Sequence, residues 1–401
     1  MGIISASLCF LLIAYYSLRN SNRVKSQDEY LLAGRHTKLL PLVATLVMTE
    51  FNTGTLISFS SLGYLAGYWA LAMPFIFLIG LLFYTLTVAK KWKQFNGVSV
   101  AHFFATRYGR KLELLVASVL FLAMLGFSAA YIKSLTLLMQ PLIPINSLIL
   151  SAALVIVILL LTLRGGLSSI IALDVLSFIF VILFFPLLVY FSYHLPQSNQ
   201  VPAFNLAQMQ ALLPPKFIIS LTILTMFSYI IAPWYGQKIV AAKTQQTAYF
   251  AAAIAAIIIF LLYGLGILAT AILRSKGVQL ADIQLGLPYL IRNALPHALQ
   301  SVAYLVLFFI AASTLAGVWN AMVTLVVGSI FKSNSSKVST NILWVLICAL
   351  IAYIIANTLI DNILSKMILF NIPIVAFCFA LLAGFYWSKA NSQGAYVSIL
   401  V

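Results

Sequence analysis

Polar positions are sparse along this chain, and the apolar ones come in long runs. Eleven such runs lie at roughly 2–18, 39–64, 69–89, 111–139, 143–163, 167–194, 217–240, 247–274, 299–331, 338–360 and 364–387. Each approaches or exceeds the ~20 residues that span a bilayer core, so the pattern predicts eleven transmembrane helices in an all-α integral membrane protein. The exceptions inside the runs are the informative positions. "VMTEFNTGTLISFSSLGY", Val47 to Tyr64, sets Glu50, Asn52, three Thr and three Ser inside the second run. Gly54, flanked by Asn52, Thr53 and Thr55, is expected to interrupt that helix, and unwound backbone at membrane depth is tolerated where it is buried or lines a cavity. Ser and Thr can instead bond back to the preceding helical turn. The seventh run carries Pro233, which predicts a second break with freed carbonyls around Thr225 to Tyr229. One interrupted helix in each half of the chain is the pointer to an inverted-repeat transporter with its site at the breaks.

Composition agrees with this pattern. The chain is 63% hydrophobic with 7% charged residues, and its mean hydropathy is +1.08. A soluble domain would lack a polar shell at these values. The net charge of +16 would suggest nucleic acid in a soluble protein, but here it follows from Lys and Arg in cytoplasmic loops, and no nucleic-acid partner is expected. With the N-terminus outside, the inner loops hold Arg19, Arg23, Lys25, Arg35, Lys38, Lys90, Lys91, Lys93, Arg107, Arg110, Lys111, Arg164, Lys238, Lys243, Lys332, Lys337 and Lys389. The outer side keeps Lys216, Arg274, Lys276, Arg292 and Lys366. The first run lacks a basic segment before it, so it reads as a retained helix and not a signal peptide. Cys9, Cys348 and Cys378 sit in apolar runs without metal or disulfide spacing. There is no GxxxxGK[ST] loop, so ATP is not an expected partner. The outer loop at 275–298 has helical periodicity and predicts a short amphipathic helix at the surface. The last residues, "SKANSQGAYVSILV", read as the start of a further helix that is cut short.

Charges at bilayer depth usually face the protein interior or an aqueous path. Three stand out: Glu50 in the second run, Lys133 in the fourth and Asp174 in the sixth. Glu113 follows Arg110 and Lys111 at a helix start, where ion pairing and the helix dipole account for it. In the ninth run, Ala311, Ala312, Ala316 and Gly317 allow close helix packing, and the adjacent Ser313 and Thr314 offer oxygens.

Seven short motifs then occur in order: "DEYLLAGR", "GYLAGYWAL", "RYGRKLELL", "RGGLSSIIALDVLSF", "GQKIVAAK", "AASTL" and "GFYWSKANSQGA". Together they resemble the sodium:solute symporter family, which includes sodium-coupled sugar, proline and pantothenate carriers. The resemblance implies a leucine-transporter fold, with ten core helices in two inverted sets of five. Residues 1–38 would form an extra helix and a basic loop, 39–194 the first repeat, 195–216 an outer loop, 217–387 the second repeat, and 388–401 the start of a further helix. The family usually continues with more helices.

The resemblance also implies a Na+ site formed by the carbonyls of Met48, Phe51 and Ile310 and the hydroxyls of Ser313 and Thr314. This is an oxygen set of the kind hard cations take. Glu50 stands where the sodium–proline carrier has an Asp needed for the cation, and Asp174 matches an inward Asp linked to cation passage. Lys133 departs from the family. It could pair with Glu50, bind a substrate carboxylate or snorkel to the surface. Should it reach the cation site, H+ would replace Na+ as the coupling ion. Fold geometry makes Asn52, Thr55, Lys133, Thr225, Ser228 and Tyr229 candidate solute contacts and Trp234 a gate with Tyr229.

The function implied is secondary active symport of a small polar organic solute (amino acid, carboxylate, sugar or vitamin) across the inner membrane, and not enzymatic catalysis. The alternatives are a proton-coupled amino-acid or amine carrier of the same fold, and a non-transporting sensor or inactive shortened product.

Overall fold

The computed structural model describes residues 26–95, 97–163, 165–197, 205–331 and 338–400. The expected first helix, 2–18, lies outside them, as do Cys9, Arg19, Arg23, Lys25, Arg164, Lys332 and Lys337. The described residues form helices joined by short turns. The long ones are α1 (Leu39–Glu50), α2 (Thr53–Ala66), α3 (Phe75–Tyr84, continuing helically to Gln94), α4 (Arg110–Met139), α5 (Ser147–Thr162) and α6 (Gly166–Tyr193). These are followed by α7 (Pro215–Tyr229), α8 (Pro233–Val240), α9 (Gln245–Ser275), α10 (His297–Leu325), α11 (Val338–Thr358) and α12 (Ile363–Val375, continuing after a turn to Tyr386). Seven helices are long and apolar enough to cross a membrane among the described residues, or nine when each sharply bent pair is one span. The expected count was eleven. The bent pairs are α1 with α2, and the short helix Leu206–Leu212 with α7; of the two remaining runs, the first lies outside the described residues and the fifth is α5, whose 16 residues fall short of a span.

The two expected breaks are present, with local causes that differ in part from the expectation. α1 and α2 meet at 60°. The break falls at Phe51 and Asn52, ahead of Gly54, because Asn52 acts as an N-cap. Its Oδ1 accepts from the Thr55 N–H at 2.8 Å, and its Nδ2 donates to the Glu50 carbonyl at 2.8 Å. Gly54 serves close approach instead: a Cβ there would lie 3.0 Å from both Met367 Sδ and Tyr131 Cδ1. The second break runs over Ile230 to Ala232, and Pro233 opens α8 at a position where its missing N–H costs nothing. The freed Ile230 carbonyl is satisfied by Trp92 Nε1 at 2.8 Å.

The core sits where α1, α2, α4, α6, α9 and α10 pack around these breaks. The "DEYLLAGR" stretch closes one end of it. Tyr30 Oη donates to the Leu163 carbonyl at 2.9 Å, Asn320 Nδ2 to the Tyr30 carbonyl at 3.1 Å, and Gln237 Nε2 to the Leu31 carbonyl at 2.7 Å. Gly166 is required here. Its φ is +53°, and a Cβ would stand 2.3 Å from the Tyr30 carbonyl oxygen. The loop at 275–298 contains the short helix Gly286–Asn293, which buries Leu287, Leu290 and Ile291 against the body, as its periodicity predicted.

Candidate solute and cation site

Both breaks face one cavity, whose roughly 590 Å³ of non-atom space includes its opening to solvent. Asn52 and Thr55 reach it from α2, Thr225, Ser228 and Tyr229 from α7, and Trp234 from α8. Glu50 stands at its floor, 4% exposed. The carboxylate is held from the second break: Trp234 Nε1 donates to Oε1 at 2.9 Å, and the Tyr229 hydroxyl donates to Oε2 through a short bond. The rest of the wall is mostly aromatic and apolar, with Phe59, Phe77, Phe127, Tyr131, Met367 and Ile368 prominent.

Lys133 does not join this group. It is half-buried on α4, does not line the cavity, and forms no ion pair with Glu50 among the described residues. It lies six residues from the end of α4 at Met139, about 9 Å along the axis, within reach of a snorkelling amine. Asn52 lines the cavity, but its amide is committed to the Glu50 carbonyl and the Thr55 N–H. It therefore shapes the break more than it offers a free group. Of the other hydroxyls in the opening motif, Ser58 and Ser61 bond back to the carbonyls of Gly54 and Ile57, and Thr53 pairs with Ser134 at 2.8 Å.

Four of the five oxygens implied for Na+, those of Met48, Ile310, Ser313 and Thr314, lie together where α1 meets α10. Thr314 Oγ1 donates within reach of two of them, the Met48 carbonyl at 3.0 Å and the Ile310 carbonyl at 2.9 Å. Ser313 Oγ is 3.2 Å from the same Ile310 carbonyl. Met48, Phe51, Ile310, Ser313 and Thr314 are all fully buried. The donor set is neutral, hard and dry, and the Met48 and Phe51 carbonyls lie at the C-terminal, electronegative end of α1. These features fit a monovalent hard cation.

Deeper in the same seam lies a charge that the sequence reading misplaced. Lys238, assigned there to an inner loop, is 1% exposed. It lies on α8, where every residue from Pro233 to Val240 is buried. Its ammonium pairs with Asp174 Oδ2 on α6 at 2.9 Å, donates to the Thr45 carbonyl at 3.1 Å, and makes a short bond to the Thr49 hydroxyl. Thr45 Oγ1 donates to the same Asp174 oxygen. A Cβ on Gly317 of α10 would lie 3.7 Å from Lys238 Nζ, at ordinary contact distance, so α10 passes directly beside the ammonium. Lys243, five residues on, is exposed as expected of a loop charge. Asp174 is thus the inward acid that its motif implied, and its buried Oδ1 has no hydrogen-bond partner among the described residues.

Tyr263 of α9 was also missed. Fully buried, it accepts the Asn52 N–H at 3.2 Å and donates to the Glu50 carbonyl, fixing the first break from behind. A tyrosine in an apolar helix gives no sequence signal of that role.

A search of curated protein sequences returns no match. Among solved structures, the chain is similar to a Na+-coupled sialic acid symporter in a substrate-bound outward-open state, described as revealing a novel Na+ site. The TM-score is 0.83 at 15% identity, over 100% of this chain and 89% of that chain. At that identity the likeness speaks to the fold alone, which is that of a sodium symporter. A family model described as the sodium:solute symporter family matches residues 30–401. With nearly the whole sequence matched, the chain belongs to the sodium:solute symporter family and is a multi-pass membrane transporter, not an enzyme.

Proposed function

We propose that the chain is a symporter that moves a small polar organic solute across the cell membrane together with Na+ by alternating access. The solute occupies the cavity between the breaks, and Na+ is held by Met48, Phe51, Ile310, Ser313 and Thr314. The observation that carries this reading is Thr314 Oγ1, which lies 3.0 Å from the Met48 carbonyl and 2.9 Å from that of Ile310. One hydroxyl thus ties the broken helix to α10. A cation at this point draws α1 and α10 together and favours the state in which they are in contact, the differential binding that a coupled ion needs. The two interrupted helices support an arrangement of inverted repeats over 39–194 and 217–387, with the N-terminus outside. The amino-acid, carboxylate, sugar and vitamin classes are all compatible with the fold. Uptake into membrane vesicles with and without an inward Na+ gradient is the test. Gradient-dependent uptake that is lost on Ser313→Ala plus Thr314→Ala supports the site, and uptake indifferent to Na+ sinks it.

One observation favours proton coupling as a second reading. Lys238 is paired with Asp174 in the seam beneath the Na+ oxygens. Buried acid–base pairs at membrane depth mark ion and proton pathways, and the second oxygen of Asp174 has no hydrogen-bond partner among the described residues. A pH gradient that drives uptake with K+ replacing Na+ on both sides would favour this reading, and inactivity under that gradient would remove it.

A further inference from the structure

We propose that the solute carries a positively charged nitrogen, bound against Glu50. This rests on the cavity between the breaks being the solute site and narrows what that site accepts. Glu50 is the one ionisable acid or base lining the cavity among the described residues. Its carboxylate is positioned from both sides, since the indole N–H of Trp234 can only donate and the Tyr229 hydroxyl donates to the other oxygen. Neither partner carries charge. The nearby buried ammonium, Lys238, is committed to Asp174, Thr45 and Thr49 and makes no ion pair with Glu50. A carboxylate held by two neutral donors and making no ion pair with a side-chain cation among the described residues offers a cationic ligand group a ready partner at membrane depth.

The surrounding rings complete the case. Phe127 meets Trp234 edge-on at 5.2 Å between centroids, and Phe127 and Tyr131 stack at 6.3 Å. Across the cavity, Phe77 lies 6.2 Å from Tyr229. With Phe77, Phe127, Tyr131, Tyr229 and Trp234 lining the same cavity, an ammonium beside the carboxylate is attracted by charge and by aromatic rings within reach of cation–π contact. With no Lys, Arg or His in the wall among the described residues, a solute whose only charge is a carboxylate would meet Glu50 and no side-chain cation there. A sugar would leave the acid unpaired.

The test is thermal unfolding of the purified full chain in detergent, in Na+ and in K+, with two sets of probes. One set carries a cationic nitrogen (ethanolamine, choline, L-proline and trimethylglycine). The other does not (lactate and glucose). Nitrogen-bearing probes are expected to raise the melting temperature, and Glu50→Gln to weaken their binding about 10- to 100-fold, as for loss of a charged hydrogen-bond partner. Trp234→Phe, which keeps the Tyr229 bond, should weaken the same probes to a smaller degree and serves if Glu50→Gln does not fold. The proposal is overturned if no nitrogen-bearing probe shifts the unfolding, if lactate or glucose shifts it as strongly, or if binding survives Glu50→Gln unchanged. A nitrogen-bearing probe that binds equally in Na+ and K+ would contradict sodium coupling and leave this inference standing, so the two failures are distinguishable.

Discussion

Replacing Lys238 by Met removes the ammonium while keeping most of the side-chain volume. Asp174 then stays fully buried with the Thr45 hydroxyl as its remaining donor, the Thr49 hydroxyl oxygen loses its donor, and the Thr45 carbonyl keeps only its bond from the Thr49 hydroxyl among side chains. Breaking a buried pair from one side costs about 3–5 kcal/mol, because a charge is left uncompensated. Asp174→Asn strands the ammonium instead and should cost a similar amount. The double variant, Lys238→Met with Asp174→Asn, strands neither charge, so it should be more stable than the sum of the singles by about 2–3 kcal/mol. The assay is unfolding in mixed detergent–denaturant micelles followed by tryptophan fluorescence, with all four proteins at one pH. Costs that simply add, or a Lys238→Met protein as stable as the wild type, would refute the buried pair.

Gly63→Ala should destabilise the chain by about 1–3 kcal/mol through overpacking, because its Cβ would stand 2.5 Å from Thr270 Oγ1 and 2.6 Å from the Ile267 carbonyl oxygen on α9; the same unfolding assay reads it. Thr314→Ser keeps the hydroxyl between the Met48 and Ile310 carbonyls and should retain Na+-dependent uptake, whereas Thr314→Ala should lower Na+ affinity about tenfold or more; a Na+ titration of uptake separates the two. Lys133→Gln, at a half-buried position away from the cavity, should leave solute affinity within about twofold of wild type, since it removes no contact there; a competition binding assay checks this.

How far the site was legible depended on whether a residue's setting showed in its immediate neighbours. Glu50, Thr55, Thr225 and Tyr229 reach the cavity because polar groups in apolar runs must turn inward, and Pro233 marked the second break for the same local reason. The first break was located two residues late, since Gly54 looks like a helix breaker while the capping by Asn52 becomes visible only once the chain has bent. The two lysines were misjudged in opposite directions. Lys133 sits within an apolar run and reads as intramembrane, but its place near the end of α4 lets it lie half-buried outside the cavity. Lys238 lies close to Lys243 and reads as a loop charge, yet α8 is packed on every side. Only the tertiary arrangement of α1, α6 and α10 reveals that environment. Asp174 was marked by its motif, but the identity of its partner depends on a contact between α6 and α8 that no spacing encodes.

The central claim, that solute in the cavity and Na+ at the α1–α10 seam move together, is tested most directly by solute-stimulated entry of radiolabelled Na+ into proteoliposomes. With a nitrogen-bearing probe that binds the cavity added outside, wild-type protein should accelerate Na+ entry. The Ser313→Ala, Thr314→Ala double variant should show no such stimulation while still inserting and folding. Na+ entry that ignores the solute in the wild type, or solute uptake without accompanying Na+, would contradict the account.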